Sequence, residues 1–302
     1  MGKKHLLVIA GPTASGKTAL SLDLAKHFQS EIFSADSRQL YRSLNIGTAK
    51  PNSDELKAVK HHFINTLEPD QEYTSGQYSN ELNLALENYF QSHSTAIMVG
   101  GSGLYIKGAL EGLDDLPPSR KEIRDRFNAL AEQVGLNGML EKLKKQDPDY
   151  FNEVDKANKH RVQRALEAIE TSGKKVSDLR KNIRKKRDFT VHGILLQPDR
   201  KLLYERINQR VDEMMAEGLL GEVKSLQHLK HFNALQTVGY SELFEYLEGN
   251  CSLDFAVDKI KQHTRNYAKR QETWFKKQTG FTKFENADRE KIIRHLEHKM
   301  IV

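Results

Sequence analysis

The stretch HLLVIAGPTASGKT, from His5 to Thr18, decides how the rest of the chain is read. Its apolar run, Leu6 to Ala10, reads as a strand buried on both faces of a parallel sheet. The run passes directly into Gly11, Gly16, Lys17 and Thr18 at Gly-x-x-x-x-Gly-Lys-Thr spacing, and a helical pattern (Ala19, Leu20, Leu22, Leu24, Ala25) follows. Glycines there let a loop turn back so that its N–H groups line a nest at a helix N-terminus, where anions are favoured. Gly11, Pro12, Thr13, Ala14, Ser15, Gly16, Lys17 and Thr18 are therefore the expected phosphate-binding residues. Lys17 supplies positive charge, and the Thr18 hydroxyl can reach a phosphate oxygen or its Mg²⁺. The motif implies a phosphorylated ligand and leaves open whether that ligand is ATP.

Further strand-like runs occur at Glu31–Ala35, Ala96–Val99 and Val191–Leu196, separated by long helical patterns. This alternation predicts an α/β fold, a P-loop NTPase-like parallel sheet. From Leu116-Pro117-Pro118 to Asp188 the strand signal vanishes. Ile123, Phe127, Leu130, Ala131 and Val134 share one helical face, and Val162, Ala165, Leu166 and Ile169 share another. The expected plan is a catalytic core over residues 1–115 and 189–302, interrupted by an all-helical insertion over 116–188. Helices are expected at Asp199–Ala216 and Ser252–Lys277, then a short run at Phe281–Phe284 and a terminal helix.

The 302 residues carry a formal charge of +6 and a single cysteine, Cys251, which excludes an internal disulfide and a cysteine-rich zinc site. The mean hydropathy is −0.66, and no apolar run approaches the roughly 20 residues of a membrane span. With no signal-like segment before the first strand, the expectation is a soluble cytoplasmic protein. The basic excess is concentrated. Lys174–Asp188 carries a net +6 and Asp258–Lys277 a net +5. Each stretch is either a solvated helix face or a surface for a polyanion, and their pairing with a phosphate loop favours nucleic acid.

P-loop ATPases usually end a second strand in an Asp that helps hold Mg²⁺. Here Ala96–Val99 ends in Gly100-Gly101-Ser102-Gly103, and the strand-end carboxylate is Asp36 instead. At the carboxyl edge of the sheet, Asp36 is placed either as a general base for an acceptor nucleophile or as a turn residue.

The runs Asp36-Ser37-Arg38-Gln39-Leu40-Tyr41, Asn45 to Pro51, Val99 to Tyr105, Arg161 to Glu167, Arg206 to Val211, Val238-Gly239-Tyr240 and Thr264 to Phe275 resemble the tRNA dimethylallyltransferases, also called isopentenyltransferases. The resemblance covers nearly the whole chain in order. It implies that the loop holds dimethylallyl diphosphate, with Mg²⁺ at Thr18, and that the acceptor is N6 of the adenosine 3′ of the anticodon. Asp36 would take the proton of that amine, and Thr18 and Arg210 would act with it in catalysis. Arg206 and Arg210, four residues apart, would share one helix face.

The resemblance further implies that Asp36, Ser37, Arg38, Gln39, Ser102, His160, Arg161, Val162, Gln163, Arg164, Thr237, Val238, Gly239, Tyr240, Lys269, Arg270, Gln271 and Trp274 face a tRNA anticodon stem-loop, in a channel between core and insertion. Trp274 fits equally as core. Ser102 stands where many relatives have Thr, and His160 where Gln is frequent. The single cysteine leaves no place for the zinc finger of nuclear-encoded relatives, so the form looks bacterial, and a monomer suffices. A free-nucleotide prenyltransferase and a P-loop small-molecule kinase are the competing classes.

Overall fold

A computed structural model describes residues 3–114, 116–180 and 187–301. Part of the basic run, Lys181 to Lys186, lies outside the described residues. The chain forms two compact units, one of Met1–Leu110 with Lys186–Val302, the other of Glu111–Lys185.

Among the described residues the first unit is built on six strands: β1 (His5–Ala10), β2 (Ile32–Ala35), β3 (His61–His62), β4 (Thr95–Gly100), β5 (Thr190–Leu196) and β6 (Phe281–Phe284). Their order is β3-β2-β4-β1-β5-β6, and every pairing is parallel. Side chains alternate across β1 with the period of a strand. Leu6 and Val8 join a core with Phe33, Tyr78, Leu82 and Met98, whereas Leu7 and Ile9 join Leu20, Leu24, Ile292 and Leu296 on the other face. Both faces are covered, which is why the run from Leu6 to Ala10 is uninterruptedly apolar and fully buried.

The loop after β1 leads past β4 to β2, while the chain after β4 leads past β1 to β5. Loops leaving neighbouring strands in opposite directions open a crevice at their carboxyl ends. The candidate site occupies that crevice.

The expected helix ends coincide with real caps. Asp199 accepts the N–H groups of Lys201 and Leu202 ahead of the helix Arg200–Ala216, and Ser252 accepts that of Phe255 ahead of Leu253–Lys276. Strand β3 has no apolar run to announce it. Its His62 is held at the sheet edge by Glu31, at 2.5 Å, and by stacking on Phe33 with ring centroids 4.3 Å apart.

Among the described residues the second unit contains helices and no strand. Helices Lys121–Gln146, Pro148–Glu153, Lys159–Ser172 and Val176–Leu179 enclose a core of Phe127, Ala131, Met139, Leu143, Val162, Ala165 and Leu166. Val134 departs from the expected face and is 44% exposed. The cause is Gly135, whose φ of 64° and ψ of −175° break the helix immediately after it. Fully buried Asp147 then pins the unit together: it accepts the Tyr150 N–H at 3.0 Å and the Ser177 N–H and hydroxyl at 2.9 and 2.8 Å.

Candidate active site

The phosphate loop takes its shape from backbone requirements. Gly11 sits at φ +154°, and a Cβ there would fall 2.6 Å from the Leu196 carbonyl of β5, so no other residue fits without moving a strand. Ala14 is left-handed at φ 60°, a conformation costly for a residue with a Cβ. Gly16, at φ 89°, begins the helix Lys17–His27 with no side-chain cap. The first N–H groups of that helix are left for an anion.

The charges around the loop point the same way. The buried Lys17 ammonium donates to the Pro12 carbonyl at 2.6 Å. Burial, with nearby Arg210 acting in the same sense and Asp36 opposing, brings its pKa down to about 7. Arg210 projects from the helix Arg200–Ala216, with Nη1 3.5 Å from the Thr13 hydroxyl, and burial lowers its pKa too. Arg206, one turn earlier, is exposed, so the shared face expected from spacing puts only Arg210 at the loop. Beside them the Ser15 hydroxyl is buried without a hydrogen-bond partner. Desolvated cations of like sign, next to an unsatisfied hydroxyl, are costly unless an anion joins them.

Asp36 follows β2 and closes a tight turn: Oδ1 accepts the N–H groups of Arg38 at 2.8 Å and Gln39 at 3.3 Å. The next residue, Ser37, donates its N–H to the Ser102 hydroxyl at 3.1 Å, and the Ser102 N–H reaches the Ala35 carbonyl at 3.2 Å. The loops after β2 and β4 are thereby tied side by side. A cavity of about 50 Å³ lies among them, lined by Lys17, Thr18, Ser34, Asp36, Gln39, Val99 and Gly100. Gln39 spans this wall, its amide donating to the Thr48 and Ala49 carbonyls at 3.2 and 3.1 Å, while Arg38 reaches the Asn233 carbonyl at 2.8 Å.

The helix Leu253–Lys276 braces this assembly. Gln271 accepts the Thr13 N–H at 2.9 Å and donates to the Gly101 carbonyl at 3.0 Å, so both ends of its amide serve the protein. Trp274 packs so tightly on Gly103 that a Cβ there would lie 2.5 Å from the indole. Lys269 and Arg270 are exposed on the same helix. Thr237 and Val238 are half-buried, and Gly239, at φ 97°, starts the helix Tyr240–Leu247.

Tyr240 corrects an expectation. Its side chain has no exposed surface, and its hydroxyl donates to Glu222 at 2.6 Å. That carboxylate also accepts the N–H groups of Asn45, Ile46 and Gly47, so Tyr240 and Glu222 shape the loop after Asp36 and Tyr240 offers nothing to RNA. In the helical unit, Val162 is likewise fully buried core. Gln163 is spent on Asn128 and Glu167, at 2.7 and 3.1 Å. Arg164 donates to the Pro117 carbonyl, whereas His160 and Arg161 are exposed. Tyr267 was not singled out from sequence, although it sits four residues before Gln271 and seven before Trp274, a spacing that puts all three on one helix face.

Comparison with known proteins agrees with this geometry. The profile of the IPP transferase family matches residues 39–278. The chain belongs to that family. It is 44% identical over 297 residues to a tRNA dimethylallyltransferase of Christiangramia forsetii, covering 98% of each chain. It is 42% identical to tRNA dimethylallyltransferase 1 of Bacteroides fragilis, over 98% of this chain and 99% of that protein.

Among solved structures, the full-length tRNA isopentenylpyrophosphate transferase of Bacillus halodurans superposes with a TM-score of 0.71 at 33% identity, covering 99% of this chain and 96% of that one. A eukaryotic dimethylallyltransferase acting on tRNA gives 0.77 at 29% identity, over 93% of this chain and 74% of its own. The IPP transferase match takes in Gln39, Ser102, Arg210, Gln271 and the whole helical unit. The phosphate loop and Asp36 precede it and fall within the stretch shared with the two bacterial dimethylallyltransferases.

Proposed function

We propose that this chain transfers the dimethylallyl group of dimethylallyl diphosphate to the exocyclic N6 of the adenosine 3′ of the tRNA anticodon, releasing diphosphate. The observation that carries the reading is the Lys17–Arg210 pair, two desolvated cations at the phosphate loop with Asp36 facing Lys17. One part of the site is suited to a leaving anion and the other to an amine proton.

The N6 nitrogen forms a bond to C1 of the allyl group as the C1–O bond breaks, and the bonding pair departs with the diphosphate. Lys17, Arg210, the Ser15 hydroxyl and the loop N–H groups receive the negative charge that grows there, which is where preorganised donors accelerate most. Asp36, held by its turn, takes the N6 proton.

Mg²⁺ fits this donor set. It binds through one or two protein oxygens together with substrate phosphates, and Thr18, first in the helix after Lys17, supplies such an oxygen beside Asp36. Thr18 would hold the ion together with the oxygens of the diphosphate. When bound, it neutralises charge on the leaving group.

In this reading the helical unit contributes RNA contacts through exposed His160 and Arg161, and Lys269 and Arg270 do so from the core. In the same reading the enzyme works in the cytoplasm beside its tRNA and as a monomer. Among the described residues no helix is long and apolar enough to cross a membrane.

The test is transfer of labelled dimethylallyl diphosphate to an unmodified anticodon stem-loop, with AMP as a parallel acceptor and ATP as a rival donor. The expected result is label in the stem-loop, lost when the target adenosine is replaced. Label in AMP alone would identify a free-nucleotide prenyltransferase, and phosphate release from ATP without transfer would identify a kinase or ATPase.

A further inference from the structure

Tyr267 has an unusual placement for a helix-surface residue. It lies on Leu253–Lys276 one turn before Gln271, the brace of the phosphate loop, and it is 37% exposed. The Arg270 guanidinium sits over its ring, 5.6 Å from the centroid. The hydroxyl end is the buried part. It interacts with the Ser102 hydroxyl, and burial first, then Asp36, pushes the phenol up to about 12, with Arg38 and Arg270 acting in the opposite sense. Ser102 in turn accepts the Ser37 N–H at 3.1 Å, one residue from Asp36. An aromatic residue is thus anchored at its polar tip and partly open to solvent beside Arg270, within the electrostatic reach of Asp36.

Chemistry on a base within a folded RNA requires that base to leave its stack, losing stacking energy in the process. Aromatic side chains restore that energy, and a ring with few free torsions does so at small entropic cost. We infer that Tyr267 is the platform on which the acceptor adenine stacks, setting the plane of the purine so that its exocyclic amine meets Asp36. The inference rests on the prenyl-transfer reading and adds to it the residue that orients the acceptor. Arg270, over the ring, extends the same surface toward the neighbouring nucleotide.

The test uses the full chain and a stem-loop carrying 2-aminopurine at the acceptor position. That base lacks the N6 amine and cannot be prenylated, and its fluorescence is quenched by stacking. Bound to the wild-type protein, the base is expected to stay quenched. With Tyr267→Ala its fluorescence rises several-fold, and kcat/KM for the natural stem-loop falls about 10- to 100-fold. Affinity for dimethylallyl diphosphate is retained, which shows that the variant is folded. Tyr267→Phe restores the quenching and recovers most of the lost kcat/KM, because the ring is kept.

Tyr267→Ala matching wild type in both quenching and kcat/KM overturns the platform. So does Tyr267→Phe as impaired as Tyr267→Ala, which would assign the effect to the hydroxyl on Ser102. A wild-type protein that quenches the base yet transfers no prenyl group would overturn the function and leave the platform standing.

Discussion

Two half-buried lysines in the loops after β1 and β2 stand in opposite circumstances. Lys50, in the loop after Asp36, is saturated by its own protein: its ammonium donates to the carbonyls of Tyr41 and Arg42 at 2.7 and 3.3 Å, and to the side-chain oxygens of Asn45 and Asn65 at 2.9 and 2.6 Å. Lys17, in the phosphate loop, has the Pro12 carbonyl and faces Arg210. Burial lowers both, Lys50 to about 8 with Glu222 opposing, and Lys17 to about 7 with Arg210 adding to the effect and Asp36 opposing it. One lysine ties a loop together, and the other donates to one carbonyl beside a like charge. A desolvated charge set beside a like charge is a mark of function, and one surrounded by the protein's own oxygens a mark of architecture.

The largest test of this contrast is at the residue opposite Lys17. Asp36→Asn keeps an oxygen for the Arg38 and Gln39 N–H groups, so the turn survives while the proposed proton acceptor is lost. Transfer is expected to fall about 10²- to 10⁴-fold with diphosphate affinity maintained, as read by single-turnover kinetics and titration calorimetry. Equal loss of binding would make Asp36 a turn residue only.

Next comes Lys17→Met, which removes one donor from the leaving group and should lower kcat by about 10²- to 10³-fold. Its melting temperature should not fall, because the repulsion with Arg210 is relieved. A clear drop in stability would put Lys17 in the same class as Lys50.

The third test is pH. Lys17 is protonated below about pH 7 in the free protein, and an adjacent diphosphate favours the charged form. Binding above pH 7 therefore takes up a proton, so donor affinity declines as pH rises, by up to about tenfold per unit. Calorimetry at pH 8 in two buffers of different ionisation heat should register that uptake. No uptake would mean the ammonium is already stabilised without ligand.

The smallest effect on catalysis belongs to Lys50→Met. It leaves four oxygens without their donor and should cost about 1–3 kcal/mol of stability in denaturant titrations, with donor affinity unchanged. Loss of donor binding at full stability would erase the distinction between the two lysines.

Much of the fold is legible in the chain because its signals are local. The run from Leu6 to Ala10 is apolar without interruption since both faces of β1 are covered, and Asp199 and Ser252 are real caps. Strand β3 was hidden because it is held by a side-chain hydrogen bond and a stacked ring contributed by β2 and its neighbour Glu31. Val134 misleads because a single glycine after it ends the period.

The phosphate loop was readable because a backbone shape fixes its spacing. The tasks of Gln271 and Tyr240 were not, since their partners, Thr13, Gly101 and Glu222, are remote in sequence and only folding brings them together. Residues matched to an RNA-contact motif thus divide into those that present a surface, such as Arg161 and Arg270, and those that hold the surface in shape.

The strand order also dictates when the loop from Gly11 to Thr18 can take its shape during synthesis. Strand β1 leaves the ribosome first, yet its partners begin at Thr95 and Thr190, the second of them beyond the entire helical unit. That unit packs from residues near one another in sequence, Phe127 to Val176, and such short-range contacts form early, whereas pairings that close long loops form late. Until β5 arrives and sets the Leu196 carbonyl against Gly11, the loop has no wall to turn against. The part of the enzyme translated first is completed among the last.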